Sequence, residues 1–233
     1  MIYVTSDLHG CPPKDFFALL SRAGFADSDF LFVLGDVIDR GESGAELLLW
    51  MTGQPNVQLI LGNHEAMLLS CKFLFDPVSD ESLARLTPEN MELMNTWLHN
   101  GGGPTLEGFR RLLKKDPELV EGILEYLEDA PLFESLTVNG GRYILTHSGI
   151  GGYRPGKSLG DYPADAFLFA RPELSDEYDP GATVIFGHTP TVYMSPEYKG
   201  RAIRTPTWIN IDTGAAMGLS PMLLRLEDGK EFY

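Results

Sequence analysis

The sequence has few cysteines, few basic residues and no long apolar run. Its two cysteines, Cys11 and Cys71, are too few for a disulfide framework or a four-thiolate zinc site, a pattern typical of a reducing, cytoplasmic location. Its 18 basic residues stand against 33 acidic ones, and the net charge of -15 disfavours nucleic acid polymers and anionic membranes as partners. No apolar run approaches the ~20 residues of a membrane span, and Met1 leads into an apolar stretch without a signal-peptide pattern.

Six short apolar runs, each followed by polar or glycine-rich residues, predict strands buried on both faces. These runs lie at 2–5, 30–34, 57–61, 143–146, 183–186 and 208–211. Helical patterns at 12–24 and 45–53 separate the first three runs, so we predict a parallel α/β sheet in the first third. A chain of 233 residues can bury a large core, and we expect one domain over 1–233.

The middle of the chain has a helical pattern over about 66–130, with breaks at prolines and at the glycines 101–103. We expect this segment to form an inserted helical cap that influences substrate choice. The strand pattern returns after it, with hairpin turns predicted at 139–140 and 228–229.

Polar motifs follow five of the predicted strands. They are DLHG at 7–10, GDVIDRG at 35–41, GNHE at 62–65, THSG at 146–149 and GHT at 187–189. Because strand ends of an open α/β sheet converge on one crevice, we expect a single site. Any one of these side chains alone would be read as a cap or turn residue, and His99 in the cap as a packing or surface residue. Five motifs together favour a functional site.

Aspartate, asparagine and neutral histidine without a thiolate are ligands for borderline or hard divalent ions such as manganese, iron or zinc. Two ions fit this set better than one. Asp7 and His9 can chelate the first ion and Asp36 can bridge, while the side chains left for the second ion are Asn63, His147 and His188.

In this order the motifs resemble those of the metallophosphoesterases. The full GDxxDRG and GNHE forms resemble the phosphoprotein phosphatase branch, which includes bacterial serine/threonine phosphatases and symmetrical diadenosine tetraphosphate hydrolases. The resemblance covers residues 3 to about 215. It implies an α/β fold of the metallophosphoesterase type, an αββα sandwich with the inserted helical cap.

The resemblance also implies residue roles. One metal would be held by Asp7, His9 and Asp36, and the other by Asp36, Asn63, His147 and His188. His64 would be the proton donor, Asp39 its partner and Arg40 a phosphate clamp. FAR at 169–171 resembles the segment that supplies a second arginine, so Arg171 is the first candidate and Arg154 the alternative.

The expected reaction is hydrolysis of phosphomonoesters, first of all phosphoserine and phosphothreonine in proteins, by in-line attack of a hydroxide that bridges two metal ions. Manganese is the first choice of metal, with iron and zinc as alternatives. The alternative substrate is a symmetrical dinucleoside tetraphosphate, because WLHNGGGPTLEGF at 97–109 is similar to a segment of bacterial members that include the dinucleotide hydrolases. We expect no regulatory subunit, since the chain ends within eighteen residues of IDTGA at 211–215.

Two rival functions receive less support. GGYRPGKS at 151–158 matches a phosphate-binding loop of nucleotide triphosphatases, but that loop needs a helix directly after it, and Gly160 and Pro163 interrupt the first turns here. A non-catalytic metal-binding protein would be expected to lose the residues of the proton donor and the phosphate clamp. These residues, His64, Asp39 and Arg40, are all intact.

Overall fold

The computed structural model describes all 233 residues, which form ten strands and nine α-helices. The strands are β1 (Ile2–Thr5), β2 (Phe30–Val33), β3 (Val57–Leu59), β4 (Phe133–Val138), β5 (Gly141–Thr146), β6 (Thr183–Phe186), β7 (Ile203–Arg204), β8 (Trp208–Asn210), β9 (Leu223–Arg225) and β10 (Glu231–Phe232). The helices are α1 (Pro13–Ala23), α2 (Gly44–Thr52), α3 (Asn63–Ser70), α4 (Asp80–Ala84), α5 (Pro88–Trp97), α6 (Gly103–Lys115), α7 (Pro117–Glu128), α8 (Asp165–Leu168) and α9 (Thr191–Met194).

The first sheet has the strand order β10-β9-β1-β2-β3. Strands β1, β2 and β3 run parallel, which confirms the prediction for the first third of the chain. The antiparallel pair β9 and β10 confirms the hairpin predicted at 228–229. Strands β2 and β3 end earlier than the apolar runs predict, because the chain leaves the ladder where the polar motifs begin.

The second sheet has the order β4-β5-β6-β8-β7. Its central strands β5, β6 and β8 are parallel, and the antiparallel strands β4 and β7 lie at its edges. The hairpin predicted at 139–140 joins β4 to β5, with Asn139 at a φ of 49°. The fold is therefore mixed α/β with two mixed sheets, as the sequence indicated.

The two sheets face each other across a buried apolar layer that includes Val4 and Phe32 from the first sheet and Leu145 and Ile185 from the second. Helices cover the outer faces: α1 and α2 pack on the first sheet, and α8 packs on the second. Backbone bonds such as Asp7 N–H to the Gly35 carbonyl tie together the loops that follow the strands. The polar motifs of both sheets meet at this edge.

The segment predicted as the cap is helical, from α3 to α7. It starts at Asn63, three residues earlier than expected, so the GNHE motif forms the first turn of α3. Its buried side chains, such as Trp97, Phe109 and Ile123, belong to the same apolar cluster as Leu31 in the sheet. The cap therefore shares a core with the first sheet. None of the helices is both long and apolar enough to cross a bilayer.

Candidate dinuclear metal centre

The loops at the strand ends hold an unusual backbone conformation. Seven residues other than glycine have positive φ values, and six of them are among the predicted site residues. The six are Asp7, His9, Asp36, Asp39, Arg40 and His188. Residues with a Cβ atom rarely adopt a positive φ, because this backbone conformation is strained for them. The strain persists only where surrounding contacts impose it. The backbone therefore marks the predicted site independently of the motifs.

One group of ligand atoms forms around His9, Asp36 and His64, whose nearest donor atoms all lie within 4.8 Å of one another. The His9 Nδ1–H donates to the Ile38 carbonyl at 3.0 Å, which leaves its Nε2 atom facing Asp36 at 3.6 Å. Burial lowers the pKa of His9 to about 3. This imidazole is therefore neutral and has a lone pair for a metal ion.

A second group joins Asp36 to His147 and His188. The His147 Nδ1–H donates to the Leu34 carbonyl at 2.7 Å, and its Nε2 atom lies 3.4 Å from Asp36 Oδ1. The side-chain oxygen of Asn63 lies 2.9 Å from His147 Nε2 and 2.9 Å from His188 Nδ1. Asp36 thus belongs to both groups, as a bridging carboxylate would.

The donor set of the second group fits a divalent cation. Because Nδ1 of neutral His147 holds the ring proton, its Nε2 atom is an acceptor, and it faces two further acceptors, the Asn63 amide oxygen and the Asp36 carboxylate. Burial lowers the pKa of His147, which keeps this ring neutral. Acceptors this close are stabilised by a positive ion between them.

Asp7 lies beside the second group and belongs to neither set of three. Both of its carboxylate oxygens accept the backbone N–H of His188, at 3.1 and 2.9 Å. Burial raises the pKa of Asp7, and the charges of Asp212 and Asp36 raise it further. A nearby cation would reverse that effect, so the placement suits the predicted ligand role of Asp7, which stays a prediction.

His64 and Asp39 form a buried pair next to the first group. The distance between His64 Nδ1 and Asp39 Oδ2 is 2.6 Å, and Asp39 is fully buried. Burial lowers the pKa of His64, but the carboxylates of Asp36 and Asp39 outweigh burial and raise it. The Arg40 guanidinium donates to His9 Nε2 and His64 Nε2, both at 3.2 Å, and this contact favours the neutral form of His64. The two carboxylates therefore favour protonated His64, whereas Arg40 favours neutral His64. If Arg40 donated to another acceptor instead, only the effect of the carboxylates would remain.

Of the two candidate second arginines, the structure places Arg171 beside the centre. Its Nη1 atom donates to Thr189 Oγ1 at 3.4 Å. Burial lowers the pKa of His188 to about 3, and the charge of Arg171 contributes to this. Arg154 is exposed, its backbone bonds to the Tyr162 hydroxyl, and its side chain makes no hydrogen bond to the ligand groups. His99 is exposed on the cap.

Two further carboxyl groups near the centre received no role from the sequence. Glu65 accepts the backbone N–H groups of Asp36 and Val37, both at 2.8 Å, and burial raises its pKa to about 7. Asp212 is also buried, which raises its pKa to about 7. The only sequence signal for a role of these two carboxyl groups was their position, Glu65 inside GNHE and Asp212 inside IDTGA. Trp97 and Thr105 were missed as well, and both bond to Asp39.

The segment 151–158 does not form a nucleotide triphosphatase loop. It follows β5 through turns and leads into a three-residue 3₁₀ helix, Leu159–Asp161. This confirms the prediction that the helix needed for phosphate binding is absent.

Comparison with known proteins agrees with the motifs. Residues 1–192 match the calcineurin-like phosphoesterase family. A symmetrical bis(5'-nucleosyl)-tetraphosphatase of Acidovorax sp. JS42 is 28% identical over 206 residues, covering 85% of this chain and 60% of that protein. The same-named protein of Buchnera aphidicola from Acyrthosiphon pisum (strain Tuc7) is 33% identical over 103 residues, which are 41% of this chain and 36% of the relative. The chain thus spans at most about three fifths of these two curated relatives.

Solved structures show the same fold at low identity. A candidate diadenosine tetraphosphatase is 18% identical with a TM-score of 0.61, covering 99% of this chain and 90% of the other. A serine/threonine phosphatase from Saccharomyces cerevisiae is 15% identical with a TM-score of 0.55, and the match covers 99% of this chain and 79% of the other. The fold, the motifs and the family match over most of its length show that this chain belongs to the calcineurin-like phosphoesterase family of metal-dependent hydrolases.

Proposed function

We propose that this protein hydrolyses symmetrical dinucleoside tetraphosphates with the help of two divalent metal ions that share Asp36. The observation that carries the hydrolase part is the meeting of two buried ligand groups at one carboxylate, Asp36. The substrate is supported by the relatives named symmetrical bis(5'-nucleosyl)-tetraphosphatases. We therefore favour the dinucleotide over the phosphoserine and phosphothreonine substrates that the sequence placed first.

The candidate metal ligands are Asp7, His9, Asp36, Asn63, His147 and His188, with manganese as the first ion to test. Two bound divalent ions supply Lewis acidity, which lowers the pKa of a water molecule and offsets the charge of the phosphates. Asp7 and Asp36 together contribute two negative charges against four positive ones. The centre remains cationic and attracts a polyphosphate although the whole chain carries a net charge of -15.

Arg40 is placed to bind a phosphate group of the substrate. Its guanidinium donates to the Nε2 atoms of His9 and His64, which are weak acceptors compared with phosphate oxygens. A bound phosphate would take over these donors. In the metal-loaded protein an ion on His9 Nε2 would already replace one of these contacts, and the bound phosphate would release His64 Nε2 for proton transfer.

His64 is placed to protonate the leaving group. Its Nδ1–H is held by Asp39 at 2.6 Å, so its Nε2 atom points towards the centre, 3.8 Å from Asp36 Oδ2. Once Arg40 turns to phosphate, Nε2 can carry a proton and donate it to the oxygen that leaves. The phosphate oxygen released from a dinucleotide is a weak base, so this proton matters more for an alkyl phosphate. The new bond joins water oxygen to phosphorus, the central phosphoanhydride bond breaks, and two nucleoside diphosphates result.

The surroundings suit a substrate that extends in two directions. Arg40 lines a cavity of about 360 Å³ together with Cys11 and Leu219, and Arg171 lines another of about 350 Å³ together with Tyr153 and Tyr178. A symmetrical dinucleotide has two equivalent arms, each with a nucleoside at its end. Two cavities, each with one of the phosphate-binding arginines, can receive these arms.

A comparison of substrates tests the proposal. The manganese-loaded protein is assayed on diadenosine tetraphosphate, a phosphoserine peptide and a phosphotyrosine peptide, with products separated by chromatography. We expect the highest kcat/KM for diadenosine tetraphosphate and adenosine diphosphate as its only nucleotide product. A higher kcat/KM for the phosphoserine peptide, or release of adenosine mono- and triphosphate, would contradict the proposal. Asp36→Ala, prepared in parallel, controls for contaminating hydrolases.

A further inference from the structure

Asp39 is held by the cap as well as by His64. Its Oδ2 atom accepts the His64 Nδ1–H at 2.6 Å and the Trp97 indole N–H at 3.0 Å. Its Oδ1 atom accepts the Thr105 hydroxyl at 2.6 Å, and the same hydroxyl accepts the Asp39 backbone N–H at 2.9 Å. All four groups are buried. The carboxylate therefore has three side-chain partners: His64 in the GNHE motif, Trp97 at the end of α5 and Thr105 in α6.

From this arrangement we infer that Trp97 and Thr105 are positioning residues for proton transfer: they fix the Asp39 carboxylate, and through it the ring of His64. The inference rests on the proposed role of His64 as the proton donor. The side chains of Trp97 and Thr105 hydrogen-bond to Asp39 and to none of the candidate metal ligands or Arg40, so they would act through Asp39.

The chemistry of the two donors suits this task. An indole N–H is a single donor on a rigid ring, so it defines the place of Oδ2, whereas the Thr105 hydroxyl contacts both the backbone and the carboxylate of Asp39. Neither donor carries a charge, so neither neutralises the carboxylate. Its negative charge remains available to His64, which an arginine or lysine in the same place would weaken.

The backbone between the two residues is shaped for this contact. Trp97 ends α5, a π-helical turn covers Leu98–Gly102, and Gly101 in that turn has a φ of 106°. The Gly101 carbonyl accepts the Arg40 backbone N–H at 2.9 Å, and a Cβ atom at Gly101 would lie 2.9 Å from Arg40 Cγ. A Cβ atom at Gly102 would lie 2.5 Å from the Trp97 indole. The glycine turn thus lets the cap approach the Asp39–Arg40 loop.

General requirements of a buried helix pair do not account for these contacts. Thr105 is the one polar side chain that is buried between residues 80 and 128, and its hydroxyl reaches out of its helix to Asp39. The only hydrogen bond that the Trp97 indole makes goes to the same carboxylate. Two residues eight positions apart converge on one carboxylate of the candidate catalytic pair.

The test uses variants that remove one hydrogen bond each. Trp97→Phe removes the indole N–H and keeps an aromatic ring, and Thr105→Val removes the hydroxyl at nearly constant volume. Thr105→Ser keeps the hydroxyl and should restore the behaviour of the unchanged protein. Trp208→Phe is the matched control for the His64 resonance, because Trp208 is fully buried and donates its indole N–H to the Asp176 carbonyl at 2.8 Å and not to Asp39.

The first readout is independent of activity. In zinc-loaded protein with ¹⁵N-labelled histidine, Trp97→Phe and Thr105→Val should shift the His64 Nδ1–H resonance and speed its exchange with solvent. Trp208→Phe and Thr105→Ser should leave the resonance in place. An unchanged His64 resonance in both folded variants would overturn the inference.

The second readout is the leaving-group dependence of kcat. Loss of a hydrogen-bond partner that orients an active-site residue typically reduces activity ~10- to 100-fold. Trp97→Phe and Thr105→Val should each lose that much in kcat on an alkyl phosphate, with metal content and KM unchanged. The loss on p-nitrophenyl phosphate should be smaller, because its leaving group needs no proton. A shifted resonance with equal losses on both substrates would support the positioning of His64 and contradict its proposed role as the acid. The two failures are thus distinguishable.

Discussion

In the loops that follow β1, β2 and β6, six residues hold positive φ values and carry carboxylate, imidazole or guanidinium groups. Helices α4–α7, in contrast, bury apolar side chains, with Thr105 as their one buried polar residue, and the positive φ in the turn between α5 and α6 falls on a glycine, Gly101. The loops hold strained backbone and bring many hydrogen-bond acceptors close together. Both features lower the stability of the fold, and both suit the binding of a metal ion. The cap adds apolar burial, which stabilises the core that the strained loops depend on. The two regions meet at Asp39.

The largest effect is expected at the carboxylate shared by both ligand groups. Asp36→Ala should lose both metal ions and reduce kcat/KM by at least ~10⁴-fold, the scale seen when a catalytic unit is broken. Asn63→Ala or His188→Ala should mainly deplete one ion. Elemental analysis of the purified variants measures this, with the exposed Asp27→Ala as a control. Two ions per chain in Asp36→Ala would show that Asp36 does not bridge.

The next effect separates proton transfer from metal binding within the loops. His64→Asn should keep both ions and lose ~10² to 10⁴-fold in kcat on an alkyl phosphate, the usual range for general acid catalysis. The loss on p-nitrophenyl phosphate should be smaller. Because His64 Nε2 lies 3.8 Å from Asp36, loss of an ion in this variant would instead make His64 a ligand.

The apolar core of the cap, unlike Trp97 and Thr105, should respond in stability and not in chemistry. Ile123 on α7 is fully buried in the cluster that joins the cap to the first sheet. Ile123→Ala should lower the free energy of unfolding by about 2 to 5 kcal/mol, because it removes buried methyl groups and leaves a cavity. Denaturant unfolding measures the loss. The ratio of activities on the two phosphate esters should stay constant in the folded fraction, and a changed ratio would mean that the cap core shapes the site directly.

A smaller effect distinguishes the two candidate arginines. Arg171→Ala should raise KM about tenfold, since it removes charge-assisted hydrogen bonds to phosphate. Arg154→Ala is the matched control and should leave KM unchanged, because the exposed Arg154 side chain makes no hydrogen bond to the ligand groups. Steady-state kinetics with diadenosine tetraphosphate decide between them. Equal effects of both substitutions would remove the distinction that the structure draws.

The smallest effect is expected at the cysteines. Burial raises the pKa of Cys11 to about 12 and that of Cys71 to about 11, so neither thiol is a ready nucleophile. Cys11→Ser combined with Cys71→Ala should retain most of the activity and both ions. A phosphorylated cysteine trapped during turnover would contradict direct attack by water.

Much of the fold could be predicted because its signals are local. The run TVIF at 183–186 coincides with β6, and α1 ends directly before Gly24, which has a φ of 74°. All six predicted ligands follow strands whose ends converge, and four of them, His9, Asp36, His147 and His188, lie in the two groups. Their role as metal ligands stays a prediction. The position of polar residues after the predicted strands and the resemblance of the motifs to a known family both predicted the same candidate metal ligands.

The contacts between distant segments could not be predicted in this way. Trp97 and Thr105 have the spacing of ordinary helix core residues, and only the folded cap brings them to Asp39, 58 and 66 residues earlier in the chain. Glu65 has no periodicity that reveals its bonds to the backbone of Asp36 and Val37. Tertiary contacts of single polar atoms leave no repeating pattern in a sequence.

The sharing of Asp36 by two metal ions is the central claim, and anomalous X-ray diffraction from crystals grown with manganese tests it most directly. We predict two anomalous peaks, one on each side of the Asp36 carboxylate, with His9 next to the first peak and His147 and His188 next to the second. A single peak, or two peaks without Asp36 between them, would contradict the account.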